Sequence, residues 1–299
     1  MVKTEGTTEK RDWADKWFLN ELLPTWEKQL VAEGLEIPIE VAEDLARRGA
    51  LPISKVAAFC SEGREREKVA ERFDFARKSV LEIGCGRGYY TQFLAKEAIK
   101  IAALDKMLAG RRKHMWDDFR KILEGQGLWP KIVPIQADAR AIPLPDDSFD
   151  VGTCAGGFFR DLYPGGCQQE VLSELKRVCT ELMLAIYVNY QLNEAQKTYI
   201  QQLELRKEAL KRGGASDENK MQLPFKPGKV KGWLEGIGIK AIDFLTIDLK
   251  ASWAMDVQLW IQRIDDKNVK TNLLKRLTQL NRRIDQHGCK RPSIMLIWA

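Results

Sequence analysis

The chain has 299 residues, 44% hydrophobic and 30% charged, which is enough to bury a full core and fits one elaborated α/β domain. The net charge of +6 is uneven: residues 1–78 carry −2, residues 79–189 carry none, and residues 190–299 carry +8. The longest apolar run, Leu182 to Val188, falls far short of the roughly 20 residues of a spanning helix, and the polar start Met1 to Lys10 has no apolar targeting stretch, so no membrane partner and a cytoplasmic location are expected.

The first region, to about Phe75, has helical periodicity. Trp13, Trp17, Phe18, Leu22 and Leu23 recur at helical spacing, Pro24 interrupts them, and a second amphipathic pattern covers Ile39 to Ala50. It ends in the charged segment Glu62 to Glu71, which reads as a solvated helix rather than a binding element.

From Ser79 apolar runs alternate with helical patterns, the signature of βαβ units and a mainly parallel sheet covered on both faces. The strands are Val80–Ile83, Ile101–Leu104, Ile132–Ile135, Phe149–Thr153 and Leu182–Val188, with helices over Thr91–Ala98, Met107–Leu123 and Gln168–Val178. Beyond Tyr190 the pattern gives a polar helix Asn193–Lys211 with Gly213 as its cap and a helix near Lys229–Glu235. A strand near Ala241–Ile247, further helix over Trp253–Ile284 and a last strand Ser293–Trp298 complete the chain.

Cys60, Cys85, Cys154, Cys167, Cys179 and Cys289 are scattered without a C-x-x-C pair and are expected to be reduced thiols. With only His114 and His287, neither at ligand spacing from a cysteine or carboxylate, no metal site is expected.

The chemistry concentrates where the first strand runs into Gly84-Cys85-Gly86-Arg87-Gly88, because glycines between a strand and a helix let backbone approach a ligand closely. A dinucleotide fingerprint requires Gly or Ala at its sixth position, and here that position is Tyr89; a phosphate loop requires Lys-Ser/Thr after the glycines, and none follows. Asp105, at the end of the second strand, is placed to accept from two ribose hydroxyls. Glu82 would repel a pyrophosphate but suits an ammonium and a sulfonium, which favours S-adenosylmethionine (SAM) over NAD.

Three segments, Val80-Leu-Glu-Ile-Gly-Cys-Gly-Arg-Gly88, Leu104-Asp105 and the stretch from Ala137-Asp138 to Phe149-Asp150, resemble the successive motifs of class I SAM-dependent methyltransferases, with the type 11 group most similar. The resemblance covers about Ser79 to Val188, with a weaker echo in Gly232 to Gly238. It implies that Gly84, Cys85 and Gly86 surround the methionine part of SAM and that Asp105 holds the ribose, and Glu82 and Gly88 are counted with them as cofactor-binding. Lys106 and Met107 would flank the adenine, Asp138 would accept from the adenine amino group beside Ala139, and Ala155 would meet the cofactor at the end of the fourth strand. Cys85 is read as a small loop residue rather than a nucleophile, since methyl transfer to most acceptors needs no covalent enzyme intermediate.

The sequence departs from the family after the fourth strand, where Ala155 to Tyr163 contains no Asn-Pro-Pro-Tyr and so argues against the amino-methylating DNA enzymes. It departs again before the fifth, where Cys179-Thr180-Glu181 replaces the usual Pro-Gly-Gly turn. Asp161 and Tyr163 are the nearest polar candidates for acceptor contact, with loop capping and packing as their other reading, and no catalytic residue is assigned.

The expected architecture is a seven-stranded Rossmann-like sheet in three parts. These are a helical N-terminal cap over 1–78, a SAM-binding core over 79–190, and helical insertions with the last two strands over 191–299. The expected function is methyl transfer to a small-molecule acceptor under a helical lid, by a monomer or homodimer. An RNA or protein acceptor bound through the basic C-terminal region, and a SAM-binding partner subunit without turnover, are the alternatives.

Overall fold

A computed structural model describes residues 65–86, 88–106, 116, 119–120, 123–155, 167–214, 223–239, 242–246 and 254–298. The two helical patterns predicted before residue 51, Met107, and the Asp161 and Tyr163 candidates lie outside them. Seven strands form one sheet: β1 (Ser79–Ile83), β2 (Lys100–Leu104), β3 (Ile132–Ile135), β4 (Phe149–Cys154), β5 (Cys179–Val188), β6 (Ile242–Leu245) and β7 (Ser293–Trp298). Their spatial order is β3-β2-β1-β4-β5-β7-β6, with β7 antiparallel to both its neighbours and the other pairings parallel. Pro134 sits in β3, at the sheet's edge, where a missing N–H costs no ladder bond.

Period-two alternation divides the strand residues between two cores. Val80, Ile101, Val151, Met183 and Leu296 pack on one face with Leu94 and Ala95 of helix α1 (Thr91–Glu97) and with Phe75 and Phe119. Leu81, Leu104, Cys154, Leu184 and Ile297 face the other way, onto Val171, Leu172 and Leu175 of α2 (Gln168–Val178). Gly152 lets α2 approach β4 closely, since a Cβ there would lie 2.7 Å from Leu175 Cγ and 2.9 Å from Cys179 Sγ. The fifth strand, expected over Leu182–Val188, starts three residues earlier: α2 ends at Val178, and Cys179 to Glu181 already belong to β5, with Cys179 opposite Phe149.

Helix α3 (Glu194–Arg212) starts on a capping box in which the Asn193 side chain accepts from Gln196 N–H and the Gln196 side chain accepts from Asn193 N–H. Gly213 caps it as the sequence suggests, with the left-handed conformation falling one residue later, at Gly214. Helix α4 (Pro227–Glu235) begins with Pro at its first position. The single helical pattern predicted over Trp253–Ile284 is two helices, α5 (Ala254–Gln262) and α6 (Lys267–His287). The break falls where Asp266 caps α6 by accepting from Asn268 N–H and Val269 N–H. Leu205 and Ala209 of α3, Val257 and Ile261 of α5, and Leu273 and Leu277 of α6 form a separate hydrophobic cluster beside the sheet. Among the described residues no helix is long and apolar enough to cross a membrane.

Candidate cofactor site at the carboxyl edge of the sheet

Parallel strands aim their carboxyl ends to one side, and open α/β sheets bind ligands there. The loop after β1 adopts a shape only glycines enter readily, with φ of 71° at Gly84, 54° at Gly86 and 80° at Gly88. It is pinned to its neighbour: Gly84 N–H (2.7 Å) and Cys85 N–H (3.2 Å) both donate to Leu104 O, and Gly86 N–H donates to Asp105 Oδ2 at 3.1 Å. Asp105 is held in turn by its own N–H, which donates to Ile135 O at 3.0 Å. The ends of three strands are thus tied into one rim.

Glu82 ends on the α1 face of β1, 2% exposed, and accepts a hydrogen bond from Thr91 Oγ1 at 2.6 Å. Burial pushes its carboxyl up to about 7; the Thr91 hydroxyl and the Arg66 guanidinium pull it down, and the Asp105 charge adds to the rise. Burial, with the Glu82 and Asp105 charges, likewise holds the Cys85 thiol protonated, which suits a loop residue and not a nucleophile. Two buried carboxylates beside side-chain-free backbone fit a ligand with a cationic end and a ribose.

The other predicted positions are placed as follows. Lys106 is exposed just beyond Asp105, Ala139 is buried, and Ala155 is half-buried at the end of β4. Asp138 engages Arg140 through both oxygens, at 3.0 and 2.7 Å, so an adenine amino group there would share those oxygens with the guanidinium.

Sequence reasoning missed a buried charged cluster above this rim. The segment read as a solvated helix is helical over residues 65–70, but only Lys68 and Glu71 form the expected exposed pair, while Glu65 is 1% exposed. Glu65 accepts a hydrogen bond from the Tyr187 hydroxyl and pairs with Arg66 Nη1 at 2.6 Å and Arg291 Nη1 at 3.2 Å. Arg291 Nη1 also donates to the Tyr187 hydroxyl at 3.1 Å. The register explains the location: β4 ends opposite Leu184 while β5 runs four residues further along β7, so Tyr187 overhangs the end of β4. The one sequence signal was a lone phenol near the end of an otherwise apolar strand.

This strand order, with a glycine loop leaving the first strand, defines the class I methyltransferase fold. Residues 80–181 match a family model described as a methyltransferase domain. Curated protein sequences give no match. Among solved structures, a cyclopropane-fatty-acyl-phospholipid synthase-like protein from Lactobacillus casei ATCC 334 is similar with a TM-score of 0.58 at 12% identity, over 80% of this chain and 90% of that one. A Bacillus halodurans C-125 protein, provisionally a methyltransferase, gives a TM-score of 0.52 at 16% identity, over 79% of this chain and 97% of that one. The [4+2]-cyclase SpnF gives 0.50 at 15%, over 79% of each chain. At these identities the solved structures speak for the fold. Together with the family match, the motifs mark residues 80–181 as a SAM-dependent methyltransferase domain, which implies SAM as its cofactor.

Proposed function

We propose that the protein transfers the methyl group of SAM to a small-molecule acceptor enclosed at the carboxyl edge by residues 1–78 and the helices after residue 190. The observation that carries this reading is the buried Glu65, which ties the end of the N-terminal segment to β5 and to Arg291 over the strand ends. Bound SAM supplies a methyl group already activated by its positive sulfur, so the chain's own work is to bind, orient and exclude water. In this reading Glu82 faces the cationic methionyl end, Gly84, Cys85, Gly86 and Gly88 leave it room, and Asp105 holds the ribose. Lys106, Met107, Asp138 and Ala139 border the adenine, and Ala155 lies toward the methyl group. The three-part organisation and a cytoplasmic location belong to the same reading.

An RNA acceptor is the second reading, favoured by one observation. Lys267, Lys275 and Arg282 on α6 make no ion pair among the described residues, and α6 has no acidic residue from Lys267 to Ile284. Transfer of labelled methyl from SAM to a small-molecule extract and to total RNA, each at two salt concentrations, separates the two. A small acceptor gives salt-insensitive transfer. RNA held by three phosphate contacts would give a log–log salt slope of about −2, and such a slope with labelled RNA would overturn the small-molecule reading.

A further inference from the structure

Asn189 follows directly on β5, and its backbone is fixed from both sides. Its N–H donates to Phe225 O at 2.8 Å and Phe225 N–H donates to Tyr187 O at 3.2 Å, the bond pattern of a parallel ladder, which pairs Val188 with Phe225. On the other flank Val188 lies opposite Ser293 of β7, whose Oγ donates to Tyr190 O at 3.3 Å. The chain is therefore still extended at Asn189, and alternation returns this residue to the face that carries Met183, Ala185 and Tyr187. Ala155, at the end of β4, packs on the same face. Glu82, Thr153 and Met183 share one row across β1, β4 and β5. The glycine loop begins two residues past that row and Asn189 lies six past it. At about 3.3 Å per residue, Asn189 stands about 13 Å further along the strand direction than the start of the loop, above the cofactor rim.

The side chain of Asn189 is held differently from its backbone. Its Oδ1 is buried and accepts no hydrogen bond among the described residues. An asparagine that ends a strand commonly bonds the backbone of the turn that follows, and this oxygen makes no such bond. A buried carbonyl without a donor is costly and rare in folded chains, and a ligand that brings its own donor removes the cost. The edge at which this one lies is the edge where open α/β sheets bind ligands. We propose that Asn189 recognises the methyl acceptor: its side-chain carbonyl accepts a hydrogen bond from an O–H or N–H of the small molecule, past the cofactor rim. The inference rests on the small-molecule reading of the function and narrows it. The acceptor carries a hydroxyl, amine or amide N–H, and a purely hydrocarbon acceptor, which would leave the carbonyl unpaired, is rejected.

The test uses the full chain and two variants of similar shape, Asn189→Leu, which has no polar side-chain atom, and Asn189→Asp, which keeps the oxygen and loses the amide N–H. The first readout needs no ligand. A side chain kept for a ligand rather than for the fold makes Asn189→Leu melt about 2 °C above the parent, because a buried oxygen without a donor is gone. Both variants should bind S-adenosylhomocysteine within about twofold of the parent, since Asn189 lies past the cofactor rim. With labelled SAM and limiting small-molecule extract, Asn189→Leu should transfer methyl about tenfold more slowly and Asn189→Asp within about threefold of the parent. A leucine variant that melts several degrees below the parent would overturn the inference by giving the carbonyl a role in the fold. One that transfers methyl as fast as the parent would remove Asn189 from the acceptor site. Equal losses in the two variants would assign the contact to the amide N–H and overturn the donor-bearing class of acceptor. A parent that labels RNA and not the extract would overturn the small-molecule reading, and this inference with it, in a measurement that involves no variant.

Discussion

Glu65 and Tyr187, 122 residues apart in the chain, meet in a buried hydrogen bond at the overhang of β5 beyond the end of β4. Arg291, just before β7, bonds to both, and its carbonyl accepts from Gln196 Nε2 of α3 at 3.0 Å. One buried cluster therefore joins the N-terminal segment, the sheet and the first C-terminal helix at the edge where ligands bind. Because each partner comes from a different element, the cluster is a point of tertiary specification rather than local structure.

Removing Glu65 should be far more damaging than removing the phenol it accepts from. Glu65→Ala removes the carboxylate that two buried guanidiniums share and should cost about 3–5 kcal/mol, whereas Tyr187→Phe removes one hydrogen-bonding group and should cost about 1–2 kcal/mol. Urea unfolding of both variants measures the difference, and equal losses would mean that Glu65 is not compensating buried charge.

Glu82 makes stability depend on pH in a direction opposite to a salt-bridged carboxylate. Its folded carboxyl titrates at about 7 against an ordinary 4.5, so between those values the folded state keeps a proton that the unfolded chain has released. The unfolding free energy of the ligand-free protein therefore falls as pH rises through that window and is level above it. Glu82→Gln, which can still accept from Thr91, should be more stable than the parent by about 3 kcal/mol at pH 8, with the gain fading toward pH 4.5. Thermal unfolding across pH reads this directly; a variant less stable than the parent at pH 8 would refute it.

The sheet was legible because its strands are short, largely apolar runs, and the glycine loop because Gly84, Gly86 and Gly88 need backbone conformations other residues avoid. The split between α5 and α6 was hidden, since apolar residues recur on both sides of a break that Asp266 makes by capping. Glu65 was hidden for a different reason. A carboxylate within a run of charges looks solvated, and only the partners that β5 and β7 bring to it make its burial possible. Local pattern reports propensity and periodicity, whereas a buried ion cluster is assembled from positions that share no local pattern.

Asp105 serves the loop as well as the proposed ribose contact. Asp105→Ala should weaken S-adenosylhomocysteine binding by roughly 1.5–3 kcal/mol, and because Gly86 N–H also loses its acceptor, part of that cost is loss of loop geometry. Asp105→Asn keeps an acceptor for Gly86 with no negative charge. Calorimetry should place it between the parent and the alanine variant, and an alanine variant that binds as the parent does would remove Asp105 from the site.

Two glycines should resist the smallest substitution for different reasons. At Gly152 a methyl would press on Leu175 and Cys179 between β4 and α2, an overpacking expected to cost about 1–3 kcal/mol. At Gly88 a φ of 80° adds strain, and a Cβ would lie 2.6 Å from Phe119 Cδ2, so Gly88→Ala should both destabilise the fold and weaken cofactor binding. Gly152→Ala should leave affinity nearly unchanged once folded. Denaturation and calorimetry on both variants test the contrast, which fails if the Gly152 variant shows the larger affinity loss.

The enclosing role proposed for the N-terminal segment is tested by cutting it short of its anchor. Removal of residues 1–51 leaves Glu65 and Arg66 in place, with their contacts to Tyr187 and Arg291, so the core should stay folded. Cofactor affinity should then stay within about threefold of the full chain, because the groups proposed to hold SAM lie after residue 64. Methyl transfer should be abolished, since an acceptor without its wall is neither aligned with the methyl group nor shielded from water. Circular dichroism and S-adenosylhomocysteine titration establish that the truncated protein is folded and loaded, and release of labelled S-adenosylhomocysteine in the presence of acceptor reports turnover. Full turnover by the truncated chain would show that the acceptor site is complete without the segment, and the enclosure would then have to come from the helices after residue 190 alone.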